Sequence, residues 1–275
     1  MRILMSTRGW PYAEVVLRFG AQISYRAGEP PTVLVVINRE EDRPRADSIL
    51  ARARELLKPA IPDVRTRIRI GHPAEEIIRE AEEGHYDLLI VGERKQRNLV
   101  ARILQGSTAA HVVEHAPCPV IIAKGETTGR IRRILLCESG AQRPSLLTRF
   151  TAQLTGLIEG EEDITVLHVM SQMSAWPGTR GKNLRANAEE LIEEHTPEGE
   201  LLEQDIHLLE RPGIVPHPKV RHGLVVDEIL AEAQSGDYDL VVIGAHRSEG
   251  WRRILLDDLA HQIMVQVNRP ILVVR

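Results

Sequence analysis

The chain has 275 residues, enough for two domains of about 140 residues, each with its own core. Its 43% hydrophobic and 27% charged residues are ordinary for a soluble protein, and a net charge of −4 offers phosphate backbones no general attraction, so nucleic acid is a poor partner. No apolar run reaches the ~20 residues of a spanning helix, and residues 1–6 lack the apolar core of an export signal; the expected location is the cytoplasm, without membrane insertion.

Residues 2–7 read as a short buried strand. Tyr12 to about Arg26 then reads as an amphipathic helix with Val15, Val16, Phe19 and Ile23 on one face. After Pro30-Pro31, the β-branched run 32–37 suits a strand covered on both sides, as in a parallel sheet. A helix is expected over 45–57, followed by an edge strand over 64–70, where apolar and basic residues alternate. Gly71-His72-Pro73 leads into a helix over 74–83, with proline near its first turn. A strand at 88–91, a helix at 107–115 and a strand at 120–123 complete the first half.

The second half repeats the first. Tyr86-Asp87-Leu88-Leu89-Ile90-Val91-Gly92 returns as Tyr238-Asp239-Leu240-Val241-Val242-Ile243-Gly244, 152 residues later. Gly71 matches Gly223, and Glu76-Ile77-Ile78 matches Glu228-Ile229-Leu230, at the same offset. Arg2-Ile3-Leu4 returns as Arg133-Ile134-Leu135, and Pro119-Val120-Ile121-Ile122 as Pro270-Ile271-Leu272-Val273. Two copies of one α/β unit are therefore expected, at 1–126 and 131–275, with 125–130 as the boundary. Copy-two strands are expected near 133–137, 164–169, 204–209, 239–243 and 271–274, with an extra loop around 173–182. Alternating strands and helices imply right-handed crossovers and two doubly wound domains, each a five-stranded parallel sheet between helices. Cys118 and Cys137 fall in or beside apolar strands of different copies and read as reduced, packed thiols.

Ligands in such sheets gather at the carboxyl ends of strands, where the strand order reverses. The candidate segment runs from Gly92 to Gly106-Ser107, which opens a helix. The free N–H groups and positive dipole end of that helix suit a phosphate, with Arg94, Lys95 and Arg97 adding charge. A blander reading also fits, in which Gly106 relieves a turn and Ser107 caps the helix.

Val91-Gly92-Glu93-Arg94-Lys95, Ile103-Leu104-Gln105-Gly106-Ser107, His115 through Ile122 and Gly71 through Ile77 together resemble the universal stress protein family, over essentially the whole chain. The resemblance implies two such domains in tandem, packed as an internal pseudo-dimer through antiparallel last strands. It also implies a stress-response sensor or adaptor rather than an enzyme. Some family members bind ATP in a loop of pattern Gly-x-x-Gly, nine residues, then Gly-Ser or Gly-Thr. Carried over, this pattern makes Gly92, Lys95, Gly106 and Ser107 the phosphate end in copy one, with ATP or AMP as cofactor. Lys95 replaces the second glycine, and the loop is one residue longer than the pattern. Val36 corresponds to the residue flanking adenine. The aspartate that ends the first strand in nucleotide-binding members is replaced by Arg8, after Ser6 and Thr7. In copy two Gly244 remains, but Arg247 and Asp257-Asp258 replace the later glycines and serine, so no nucleotide is expected there. At its first strand Ser139 takes the aspartate position, with Glu138 one residue earlier. The competing expectation is a family member that binds no nucleotide and acts through protein partners or self-association.

Other motifs carry blander readings. His111-Val112-Val113-Glu114-His115 matches the H-x-x-E-H zinc-hydrolase pattern but lacks a third-ligand motif, so two partly exposed helical histidines are expected and no metal centre. Residues 159–163 read as an acidic solvated turn, 217–222 as a wet edge strand, and Asp257-Asp258 as helix-capping carboxylates. Neither a nucleophile elbow, a dinucleotide fingerprint nor a Walker loop is present, and copy one places no general base for ATP hydrolysis.

Overall fold

The computed structural model describes residues 1–93, 108–125, 130–138, 145–158, 160–170, 185–245 and 258–274. Two compact units divide the chain, the first holding Met1–Arg130 together with Pro270–Val273, the second most of the remainder.

In the first unit the described elements are β1 (Ile3–Ser6), α1 (Tyr12–Ser24), β2 (Thr32–Ile37), a 3-10 turn (Glu40–Asp42), α2 (Arg43–Leu57), β3 (Arg65–Ile70), α3 (Pro73–Glu83), β4 (Leu88–Gly92), α4 (Thr108–His115) and β5 (Val120–Ala123). The strands lie in the order β3-β2-β1-β4-β5, and each neighbouring pair is parallel. Strand β1 is therefore central, and Ile3, Leu4 and Met5 are wholly enclosed. Helix α1 buries Val16, Leu17, Phe19 and Ile23, while the expected Val15 is only half-buried. Strand β3 keeps Arg65 and Arg67 in water, as its alternating pattern implies for an edge.

One further strand belongs to this unit. Strand β10 (Ile271–Val274) runs antiparallel to β5, with Ile271 opposite Ile122, Leu272 opposite Ile121 and Val273 opposite Val120. The antiparallel pairing expected of the two last strands is present.

The second unit contains β6 (Arg133–Glu138), α5 (Leu146–Thr155), β7 (Glu162–Met170), α6 (Ala188–Glu193), α7 (Pro197–Leu209), β8 (Ile214–His222), α8 (Val225–Ser235), β9 (Leu240–Gly244) and α9 (Asp258–Gln266). Its strand order β9-β6-β7-β8 mirrors β4-β1-β2-β3. Here one expectation fails: residues 204–209 are not a strand but the end of α7. Thr196 caps that helix, its hydroxyl oxygen accepting from the Gly199 N–H at 3.0 Å, and Leu201, Leu202, Asp205 and Leu209 form its buried face. The third strand of copy two is β8, which includes the wet basic segment 217–222.

The repeat extends to a polar bracket at the end of each edge strand. Gly71 and Gly223 have φ of +150° and +154°. Arg69 Nε donates to Glu80 at 2.6 Å, and Arg221 Nε donates to Glu228 at 2.6 Å. Each arginine also reaches the other glutamate of its bracket, Glu76 at 3.4 Å in copy one and Glu232 at 2.9 Å in copy two. Tyr86 donates to Glu80 at 3.2 Å and Tyr238 to Glu232 at 2.7 Å. Burial disfavours the Arg69 charge, but hydrogen bonds to Glu83 and Glu80 more than offset it and hold the guanidinium protonated.

Candidate functional site

In the order β3-β2-β1-β4-β5 the chain winds one way from β1 to β2 and β3 and the other way to β4 and β5. The reversal lies between β1 and β4, and a crevice at their carboxyl ends is where such sheets take ligands. Register sets Ser6 beside Val91, so Thr7 and Gly92 follow on either side of that switch point. Thr7 is buried. Its N–H donates to the Leu34 carbonyl at 3.0 Å, and its Oγ1 accepts from the Gly9 N–H at 3.3 Å, which turns the chain out of the strand. Val36, on the neighbouring strand, is half-buried. Arg8 is exposed, so the position that carries a carboxylate in nucleotide-binding members carries here a solvated cation.

Gly92 has a packing reason of its own. A Cβ there would lie 2.9 Å from Cγ2 of Val16 on α1, tighter than side chains tolerate, so glycine allows the helix to sit close to the strand end. The sequence reading missed the next pair. Glu93 meets Lys124 Nζ at 3.2 Å, and the Lys124 side chain is only 3% exposed. A lysine directly after a β-branched last strand was the available signal. The pair neutralises the carboxylate nearest to Gly92. Lys95, Gly106 and Ser107, with Arg94 and Arg97, lie outside the described residues.

Copy two builds its counterpart differently. Cys137 stands beside Ile243 as Ser6 stands beside Val91, which aligns Glu138 with Thr7 and Ser139, outside the described residues, with Arg8. Glu138 is buried and accepts from the Ser145 hydroxyl at 2.7 Å, while the same Ser145 oxygen caps α5. Around it lie further buried polar groups: Thr148, Glu198 and Asp205, with His168 opposite Glu138 in register. Burial pushes the Asp205 carboxyl up to about 7, with the Glu138 charge adding to it and Thr148 opposing. Burial moves His168 the other way and favours the neutral ring. Among the described residues, Asp205 Oδ2 and His168 Nδ1 have no hydrogen-bond partner. The Asp257-Asp258 side chains and Arg247 lie outside the described residues.

Both cysteines are free and buried. Burial pushes the Cys118 thiol up to about 12 and raises Cys137 as well, so both are unreactive packing groups.

Sequence comparison matches the Universal stress protein family over residues 1–124 and again over 132–275; the chain belongs to that family and carries its domain twice. Among curated relatives, "Universal stress protein Slr1230" of Synechocystis is 27% identical over 120 residues, 44% of this chain and 41% of its own length. "Universal stress protein" of Methanothermobacter thermautotrophicus is 38% identical over 71 residues, 25% of this chain and 47% of its own length. These matches thus span less than half of each relative. A universal stress protein from Archaeoglobus fulgidus shares the fold along the full chain, with a TM-score of 0.69 at 20% identity, covering 100% of this chain and 96% of that one. Among the described residues no helix is long and apolar enough to cross a membrane.

Proposed function

We propose that this chain is a cytoplasmic stress-response sensor or adaptor, not an enzyme, whose first copy binds ATP or AMP weakly at the switch point between β1 and β4. Its two domains span residues 1–126 and 131–275. Phosphate would meet the N–H groups of Gly106 and Ser107 and the Lys95 side chain, beyond Gly92 and Thr7, with adenine against Val36. The observation that carries this reading is the difference between the two crevices. At the position where copy one has Thr7, copy two has the buried carboxylate Glu138. A buried carboxylate repels a phosphate far more strongly than an exposed one. In copy one the neighbouring Glu93 is neutralised by Lys124. Copy two therefore binds no nucleotide in the same manner.

Calorimetric titration of the full chain with ATP and with AMP tests this. Wild type should give saturable heat, and Gly106→Asp should weaken affinity by roughly tenfold or more, about 1.4 kcal/mol. Heat that is absent at millimolar nucleotide, or unchanged in Gly106→Asp, sinks the proposal.

A second reading rests on Arg8, exposed where a carboxylate would hold the nucleoside. In it the chain binds no nucleotide and works through a protein partner or self-association. Mass analysis of ligand released from freshly purified protein separates the two, since only the first reading yields an adenine nucleotide.

A further inference from the structure

Away from the crevice, three side chains with ligand atoms gather on one helix face. Helix α4 carries His111-Val112-Val113-Glu114-His115, and both Val112 and Val113 are completely buried. With that face turned into the core, residues 111, 114 and 115, spaced three and four apart, share the opposite face. His111 and His115 are exposed and Glu114 is half-buried. Their ligand atoms all lie within 4.8 Å of one another, and the two imidazole rings stack with centroids 4.3 Å apart and planes 23° from parallel.

The tautomer of one ring follows from its partner. His115 Nδ1 lies 3.0 Å from the His111 carbonyl oxygen. A carbonyl can only accept, so Nδ1 carries the proton and donates, leaving the Nε2 lone pair for another ligand. A histidine that ligates a metal through one ring nitrogen commonly donates from the other to a backbone carbonyl, which fixes the ring and raises its basicity. The group also sits in the last turn of α4, where the negative end of the helix dipole favours a cation.

We propose that His111, Glu114 and His115 form a surface site for a divalent transition-metal ion of the zinc class. Two imidazoles and a carboxylate are a donor set that zinc and copper prefer over magnesium or calcium, with water completing the coordination. The proposal is for binding alone, since no third-ligand motif follows in the sequence. It lies at the end of α4 that precedes β5, on the amino-terminal side of the parallel strands, whereas the β1–β4 crevice is at their carboxyl ends. Metal and nucleotide binding are therefore separable in experiment.

The test is calorimetric titration of the full chain with zinc chloride in a non-chelating buffer at pH 7.5. One zinc per chain is expected at this site. His111→Ala and His115→Ala should each weaken it by about tenfold or more, and Glu114→Gln by a few-fold, in line with the loss of one ligand. Copper(II) added in equimolar amount should show a two-nitrogen electron paramagnetic resonance signature that the double histidine variant loses. His111 and His115 are exposed and Glu114 is only half-buried, so the variants should keep the wild-type circular dichroism spectrum. The proposal is overturned if wild type shows no saturable zinc binding. It is equally overturned if the double histidine variant binds zinc with unchanged stoichiometry and affinity, which would assign the ion to other histidines.

Discussion

Gly71 and Gly223 show why the repeat retains glycine at these positions. Both take a positive φ that side chains rarely adopt, and a Cβ would lie 2.9 Å from Glu76 in one case and 2.6 Å from Glu228 in the other. The glutamates cannot easily give way, since Arg69 and Arg221 hold them. Gly71→Ala should therefore cost about 1–3 kcal/mol in urea unfolding; a loss below a few tenths would mean that the bracket yields freely. Asp205 makes the opposite kind of contribution. Its carboxyl is raised to about 7 by burial, so between about pH 4 and pH 7 the folded chain holds a proton that the unfolded chain has released. Stability falls as pH rises through that window, and the deficit is complete above it. Asp205→Asn should be more stable than wild type at pH 8, by the order of 1–3 kcal/mol, and the gain should shrink toward pH 4. His168 works in the other sense. It is held neutral, so stability is lost as the unfolded chain takes up its proton on acidification. The variant should keep the His168 loss on acidification but lack the fall from pH 4 to pH 7, and a gain that stays the same at pH 5 and pH 8 would sink the assignment.

The elements of copy one were legible because each has a single period: β-branched runs in β2 and β4, a basic alternation in β3, an apolar stripe in α1. Copy two misleads at one place. Asp205-Ile206-His207-Leu208 alternates polar and apolar as a strand does, yet Asp205 is buried and the segment is helical, because Thr196-Pro197 starts a helix whose apolar face runs on through Leu209. The true third strand is disguised by Pro216 and Pro218. Two residues apart in an edge strand, their missing N–H groups point to the same, unpaired side while the ladder with β7 continues. At the crevice, sequence order placed Thr7 and Gly92 beside the strand reversal. Matching Ser139 to Arg8 already set Glu138 at the place of Thr7, but it could not reveal that Glu138 is buried and held by the Ser145 hydroxyl. Nor could it show Lys124 reaching Glu93, or that Gly92 is needed by Val16. Contacts between distant segments are not written in local periodicity.

The first unit is completed by the far end of the chain. Strand β10 covers the free side of β5, where Val120, Ile121 and Ile122 are all enclosed. Without residues 270–273, β5 would offer unpaired N–H and C=O groups on an apolar strand, the usual template for pairing with another chain. A fragment of residues 1–126 is therefore expected to self-associate, β5 against β5, while the full chain keeps that side occupied. Light scattering after size exclusion should give a dimer or larger species for the fragment. Adding a peptide of residues 268–275 should return it toward the monomer, since the peptide supplies the missing ladder. The antiparallel register of β10 on β5 makes this specific: in the peptide, Leu272→Pro removes a donor and distorts a strand whose partner is Ile121, and should abolish the rescue. A fragment that stays monomeric at every concentration, or a Leu272→Pro peptide that rescues as well as the natural one, would show that β5 does not depend on this pairing.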